Sequence, residues 1–168
     1  MAGTDFSALS WAEIEKLMYG HGKNFDKIAF DRLGNGKGTA KKLRQAFTTS
    51  FKKGETFDQL VKRIQRVTGA EANDAKRIAR TESTRIESIA KDEAAHEYVK
   101  QTGKQVWKIW FCAFRNSRES HMDLHMETVP LDADFQAAGG PMAYPGDGSR
   151  VGPEEICNCQ CWIELSKE

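Results

Sequence analysis

Apolar positions recur at three- and four-residue steps through the first hundred residues and then switch to alternation, so the chain reads as helical first and strand-bearing second. "SWAE" at Ser10 to Glu13 fits a capping box, with Gly20 as the stop of a short first helix. Residues 21–38 read as a loop containing a single helical turn. A second helix is predicted from about Thr39, with Leu43, Phe47 and Phe51 at four-residue steps, until Gly54 ends it. Thr56 can cap a third helix, in which Phe57, Leu60, Val61, Ile64 and Val67 share one face and Lys62, Arg63 and Arg66 the other, with Gly69 closing it.

From about Ala70 to Gln101 no Gly or Pro interrupts a helical pattern carried by Ala75, Ile78, Ala79, Ile86, Ile89, Ala90, Ala94 and Tyr98. One long helix is expected there, with Thr81 as the place where it would break and Gly103 as its end. The period then changes. "KQVWKIWFCAF" sets Val106, Lys108, Trp110 and Cys112 against Trp107, Ile109 and Phe111, a mostly two-sided apolar strand suited to the middle of a small sheet. "SRESHMDLHM" (117–126) fits a helix of two to three turns, and "ICNCQCWIEL" reads as a second strand. The long Gly- and Pro-bearing excursion at 128–155 between them needs a function or something that pins it. The fold class is therefore α+β: a helical region over 1–103, basic over 37–85, leads by one long helix into a small antiparallel-sheet domain over 104–168.

Composition narrows the class. A chain of 168 residues with 39% apolar and 29% charged residues can bury one core, or two small ones, and no segment approaches a membrane span. The opening "MAGTDFSALSW" lacks a basic region followed by an apolar one, so nothing points to secretion and reduced thiols are expected. The net charge of +1 hides a separation: Lys37 to Arg85 holds 13 Lys/Arg against 5 Asp/Glu, a local +8, and Glu119 to the end holds 10 Asp/Glu against 2 Lys/Arg, a local −8. Such polarity suits two surfaces with different partners, or one copy docking on another; solvated helix faces explain it as well.

Three sets of residues can carry chemistry. His121 and His125, four apart, would share one face of a helix, and Cys157, Cys159 and Cys161 one face of a strand. Two imidazoles with two of these thiols would make a four-ligand zinc site pinning the 128–155 excursion, whereas the alternative leaves the cysteines as small core residues. His121, Asp123 and Glu127 are close enough in sequence for a metal-assisted or acid–base hydrolase, but no nucleophile motif or P-loop accompanies them. Arg63, Arg66, Lys76, Arg77 and Arg80 can meet phosphates with strong salt dependence; no aromatic residues lie between them for base stacking.

"FKKGETFDQLVKRIQRVTG", "RIARTEST", a tryptophan-bearing strand, "RESHMDLH" and "YPGDGSRVGPEEICNCQCWIEL" together, in that order, resemble the phage head morphogenesis or minor head proteins with a Mu F-like domain. The resemblance covers roughly residues 40–165, and its most specific parts are "ARTE" at Ala79 to Glu82, the Arg118 and His121 pair, and "NCQC". It implies a minor component of a tailed-phage head, made in the host cytoplasm with the procapsid, associated with portal and capsid or scaffold proteins, near packaged DNA, and residing in the virion head. It places His121, Cys159 and Cys161 at motif positions, with His125 as the fourth member and Cys157 as an extra thiol that can substitute. Arg80 and Glu82 would then pair with the C-terminal lobe and fix how the two halves dock, with Arg118 as a further structural residue. Phe114, Asn116 and Met126 depart from the family pattern, which weakens any shared catalytic chemistry, and the chain is short for such proteins, as a fragment or a reduced version would be. The rival expectation is a metal-dependent nuclease or toxin-like transferase using His121 with Asp123 or Glu127.

Overall fold

The structure is a computed structural model that describes residues 36–115 and 117–167. The short helix expected after Ser10 and the loop up to residue 35 lie outside the described residues.

Three helices come first: α1 (Gly36–Lys53), α2 (Phe57–Thr68) and α3 (Ala72–Thr102). α1 starts about three residues before the expected Thr39. α2 begins as its sequence suggests, with Thr56 accepting from Gln59 N–H while the Gln59 side chain caps the Thr56 N–H. Gly69, left-handed at φ 73°, ends it. The apolar stripes of all three helices meet in one cluster: Leu43, Ala46 and Phe47 from α1, Leu60, Val61 and Ile64 from α2, and Ala75, Ile78, Ala79 and Ile86 from α3. Burying a side chain of the size of Leu43 or Ile64 is worth about 1.5–3 kcal/mol each, and this is what holds short helices such as α2 in place.

At 31 residues, α3 spans roughly 46 Å and outruns that cluster. It runs unbroken through Thr81, whose hydroxyl donates to Arg77 O at 2.8 Å and so finds a partner within the helix. Its second half covers a sheet of order β2-β1-β5, antiparallel throughout, formed by β1 (Val106–Phe111), β2 (Thr128–Pro130) and β5 (Trp162–Lys167). β1 is the central strand, and Trp110 pairs with Ile163 in the β5 register. Val106, Lys108 and Trp110 point inward, so the alternation read from the sequence holds for this strand. Lys108 is buried on that face with its ammonium donating to Ala143 O at 2.8 Å and to Asp92 at 3.4 Å.

Three expectations are corrected in the second half of the chain. Residues 128–155 are not a structureless excursion: they hold β2, a hairpin of β3 (Phe135–Ala137) with β4 (Gly140–Met142), and the one-turn helix α5 (Pro153–Ile156). Elements of three or four residues are too short to show a period, which is why the sequence hid them. The helix expected over 117–126 shrinks to one turn, α4 (Glu119–Met122). After it the chain turns back, with Met126 at φ 68° donating its N–H to Trp110 O at 2.8 Å. The strand expected from Ile156 begins only at Trp162, because Cys157 to Cys161 form a turn around a left-handed Asn158 (φ 60°).

A second buried cluster unites these parts: Trp110, Cys112, Leu124, Phe135, Ala137, Met142, Ile156, Cys159, Cys161 and Ile163. The 144–147 turn lies against α3 so closely that a Cβ on Gly146 (φ +87°) would stand 3.1 Å from the Arg85 Cα. Among the described residues no helix is long and apolar enough to cross a membrane.

Candidate metal centre

The single turn of α4 exists to deliver one side chain. His121 points inward from it, 1% exposed, with its ring set edge-on against Trp110 at 5.3 Å between centroids. Arg118, immediately before the turn, reaches across to donate to Cys157 O at 2.5 Å and ties α4 to the cysteine-bearing turn.

That turn is held from the other side by α3. Thr81 Oγ1 accepts from Asn158 N–H at 2.8 Å, Thr84 Oγ1 donates to Cys159 O at 2.8 Å, and Arg80 reaches Asn158 Oδ1 at 3.4 Å. Arg80 thus joins α3 to the cysteine-bearing turn. Glu82 does not: its carboxylate pairs with Arg85 of its own helix at 2.8 Å, and burial raises its pKa against the pull of that guanidinium.

The result is a group of three buried donors, His121, Cys159 and Cys161, whose ligand atoms lie within 4.8 Å of one another. His121 Nδ1 stands 3.5 Å from Cys159 Sγ and 3.7 Å from Cys161 Sγ. The edge between a nitrogen and a sulfur ligand on one tetrahedral zinc is about 3.6 Å, so both separations already suit a shared cation. The other ring nitrogen, Nε2, meets Glu155 Oε2 at 2.9 Å. An ionised carboxylate only accepts, so this network assigns the N–H to Nε2 and leaves the Nδ1 lone pair facing the thiols. A carboxylate behind a ligating imidazole fixes its tautomer and raises its basicity. Gly139 makes room for it: a Cβ there would overlap the Glu155 side chain.

The two thiols divide their acidity. The hydrogen bond from Cys161 holds Cys159 well below the ordinary thiol range against the effect of burial. The same hydrogen bond, with burial and the adjoining Cys112, holds Cys161 well above that range. A divalent cation bound there would supply the charge that lets both thiols lose their protons.

The other residues singled out by the sequence lie elsewhere. His125 is outside the group, because the helix that would align it with His121 has already ended; its Nδ1 accepts from Cys112 N–H at 3.1 Å and its ring packs against Phe111 and Phe114. Cys157 is buried, but its thiol is not among the clustered donors. Asp123 is exposed and Glu127 half-buried, and the carboxylate that does reach His121 is Glu155. Nothing local in the sequence marks Glu155, which meets its partner across 34 positions. Of the basic residues, Arg63 is ion-paired with Glu55, Arg80 lies over the Phe57 ring at 5.8 Å, and Arg66, Lys76 and Arg77 are exposed.

The family described as Phage Mu protein F like protein matches residues 41–164, a stretch that takes in most of α1, all of α2 and α3, the strands β1 to β4, the start of β5 and every donor of this centre. The chain belongs to that family. Among relatives of this Mu F-like chain, the minor head protein GP7 of Bacillus phage SPP1 is 25% identical over 121 residues, 71% of this chain and 38% of that protein. The NAD(+)–arginine ADP-ribosyltransferase EFV of Enterococcus faecalis (strain ATCC 700802 / V583) is 27% identical over 127 residues, 73% of this chain and 25% of that protein. The Mu F-like chain therefore spans well under half the length of either relative. No solved structure matches it at a significant level.

Proposed function

We propose that this Mu F-like protein is a minor structural and assembly component of a tailed-phage head, and that His121, Cys159 and Cys161 hold a structural zinc ion that clasps its C-terminal part. Two thiolates and an imidazole are the donor set zinc prefers. Zinc bound there would supply a cross-link between α4 and the cysteine turn, which α3 and Arg118 already bring together. The observation that carries this reading is the sealing of the group: His121, Cys159 and Cys161 are 1%, 2% and 3% exposed. A substrate has no way to such donors without opening the core, so a clasp suits them better than a reaction centre. The activity named for the enterococcal relative belongs to a protein of which this chain matches a quarter.

The partners in this reading are portal and capsid or scaffold proteins, met in the host cytoplasm during assembly and kept in the virion head. Further copies of the chain are admissible partners, given the opposite charge of its two ends. The exposed Arg66, Lys76 and Arg77 lie on the basic segment and would face packaged DNA. Co-expression with the cognate portal and capsid proteins tests it: wild type is expected in procapsids with one zinc per chain, and His121→Ala without the metal. Absence from procapsids, or nuclease or transferase turnover that vanishes in His121→Ala, overturns the reading.

A further inference from the structure

Three donors leave one corner of a tetrahedral site open. The two residues that sequence spacing offers for it, His125 and Cys157, do not join the group. We propose that Cys112 is the fourth ligand and that the chain builds a closed Cys3His centre from Cys112, His121, Cys159 and Cys161. This rests on the metal reading above and adds to it.

Cys112 is the residue just past the end of β1, 3% exposed, and it packs in the same buried cluster as Cys159 and Cys161. Its thiol is close enough to Cys161 to add to the raising of that thiol's pKa. Cys112 is not among the three donors that are mutually within 4.8 Å, so completing the tetrahedron asks for a movement of this thiol toward them.

The local backbone is arranged around this sulfur. Phe114 adopts φ 59°, a left-handed conformation that a bulky residue rarely takes, and its N–H donates to Cys112 Sγ at 3.4 Å. That N–H fixes the orientation of the sulfur two residues earlier. On the other side, Cys112 N–H donates to His125 Nδ1 at 3.1 Å, and the His125 ring packs against Phe111 and Phe114 with centroids 5.6 and 4.6 Å away. His125 is thus a positioning residue: it holds the backbone that carries a ligand and leaves the metal to others. The same arrangement links the central strand to α4 and the cysteine turn, so one ion would join three separate segments of the chain.

The experiment uses the full chain loaded with one equivalent of metal. Cobalt(II) substitution is expected to give an intense thiolate-to-metal charge-transfer band. Cys112→Ser should lower it by about one third while Cys157→Ser leaves it unchanged, since one of three sulfur ligands is lost. X-ray absorption at the zinc edge of the wild type needs no variant to fold and should count three sulfurs and one nitrogen. A Cys112→Ser band equal to that of wild type, or two sulfurs at the zinc edge, overturns the assignment of Cys112 and leaves the three-donor reading standing. A wild-type chain that takes up neither metal removes both.

Discussion

His121 and Glu155, 34 positions apart, meet at 2.9 Å through Nε2 and Oε2, and this contact turns the free nitrogen of the ring toward two thiols. The imidazole is thereby committed on both sides before any ion arrives. Removing the carboxylate frees the ring to rotate and to change tautomer, and such outer-shell losses cost roughly 10–100-fold in metal affinity. Glu155→Ala is expected to weaken zinc binding by that factor in chelator competition, with the far-ultraviolet dichroism unchanged. Gly139→Ala should act in the same direction by pushing the Glu155 side chain out of place. Wild-type affinity in Glu155→Ala would show that the carboxylate does not orient the ligand.

Metal removal should loosen one core and spare the other. At a free zinc concentration 100 times the dissociation constant, binding stabilises the folded state by about 2.7 kcal/mol, which for a chain of this size corresponds to roughly 5–10 °C in melting temperature. The donors belong to the cluster around Trp110 and Phe135, whereas Leu43, Phe47 and Ile64 belong to the cluster of α1, α2 and α3. Chelation is therefore expected to raise hydrogen exchange over residues 118–165 and to leave α1 and α2 as protected as before. A uniform loss across both clusters would mean that the ion does not act as a local clasp.

α1, α2, α3 and the central strand were legible because their own residues state the period and the stops. Thr56 and Gln59 write the start of α2, Gly69 and Gly103 the ends of α2 and α3, and alternating Val106, Lys108 and Trp110 the inward face of β1. The site was legible in part. Cys159, Cys161 and His121 stood out by residue type, but the spacing of His125 suggested a helix that the structure ends at Met122. The alternate cysteines looked like a strand and form a turn instead, since the conformation of Asn158 is held by Thr81 from 77 positions away. Glu155 and Cys112 carry no local signal, because their meaning comes only from what tertiary packing sets beside them.

That long-range bond carries its own prediction. Thr81 Oγ1 accepts the Asn158 N–H and donates to Arg77 O, both at 2.8 Å, so one hydroxyl completes a helix carbonyl and a turn amide. Thr81→Val keeps the shape and removes both bonds; leaving the part-buried Asn158 N–H without its acceptor costs up to about 1–3 kcal/mol, the range for a fully buried group. Urea unfolding should show that loss. Asn158→Gly should lose far less, because glycine accepts φ 60° without strain. Equal stability of Thr81→Val and wild type would remove the docking role from the "ARTE" stretch.

Glu55 provides a pH handle in the helical part. The Arg63 guanidinium bonded to it holds its carboxyl down at about 2, from an ordinary 4.5. A depressed carboxylate pKa stabilises the fold fully above the unfolded value near 4.5, and the contribution fades as pH falls through about 2. Carboxyl-detected NMR titration should therefore place the Glu55 midpoint near 2 in wild type and back in the ordinary carboxylate range in Arg63→Ala. A Glu55 midpoint that ignores Arg63 would show that the pair does not form in solution.

The basic segment separates into residues occupied within the fold and residues that face solvent. Arg63 pairs with Glu55 and Arg80 spans Phe57 and Asn158, while Arg66, Lys76 and Arg77 flank the turn between α2 and α3 with exposed side chains. Phosphate contact by the exposed three would release counterions and give log affinity against log salt a slope of about −2.7 on duplex DNA. Single alanine substitutions at Arg66, Lys76 or Arg77 should each flatten that slope by about 1 and leave the melting temperature unchanged. Arg63→Ala and Arg80→Ala should do the reverse, lowering stability with the slope kept. Binding that holds constant between about 50 and 200 mM salt would exclude phosphate contact by this surface.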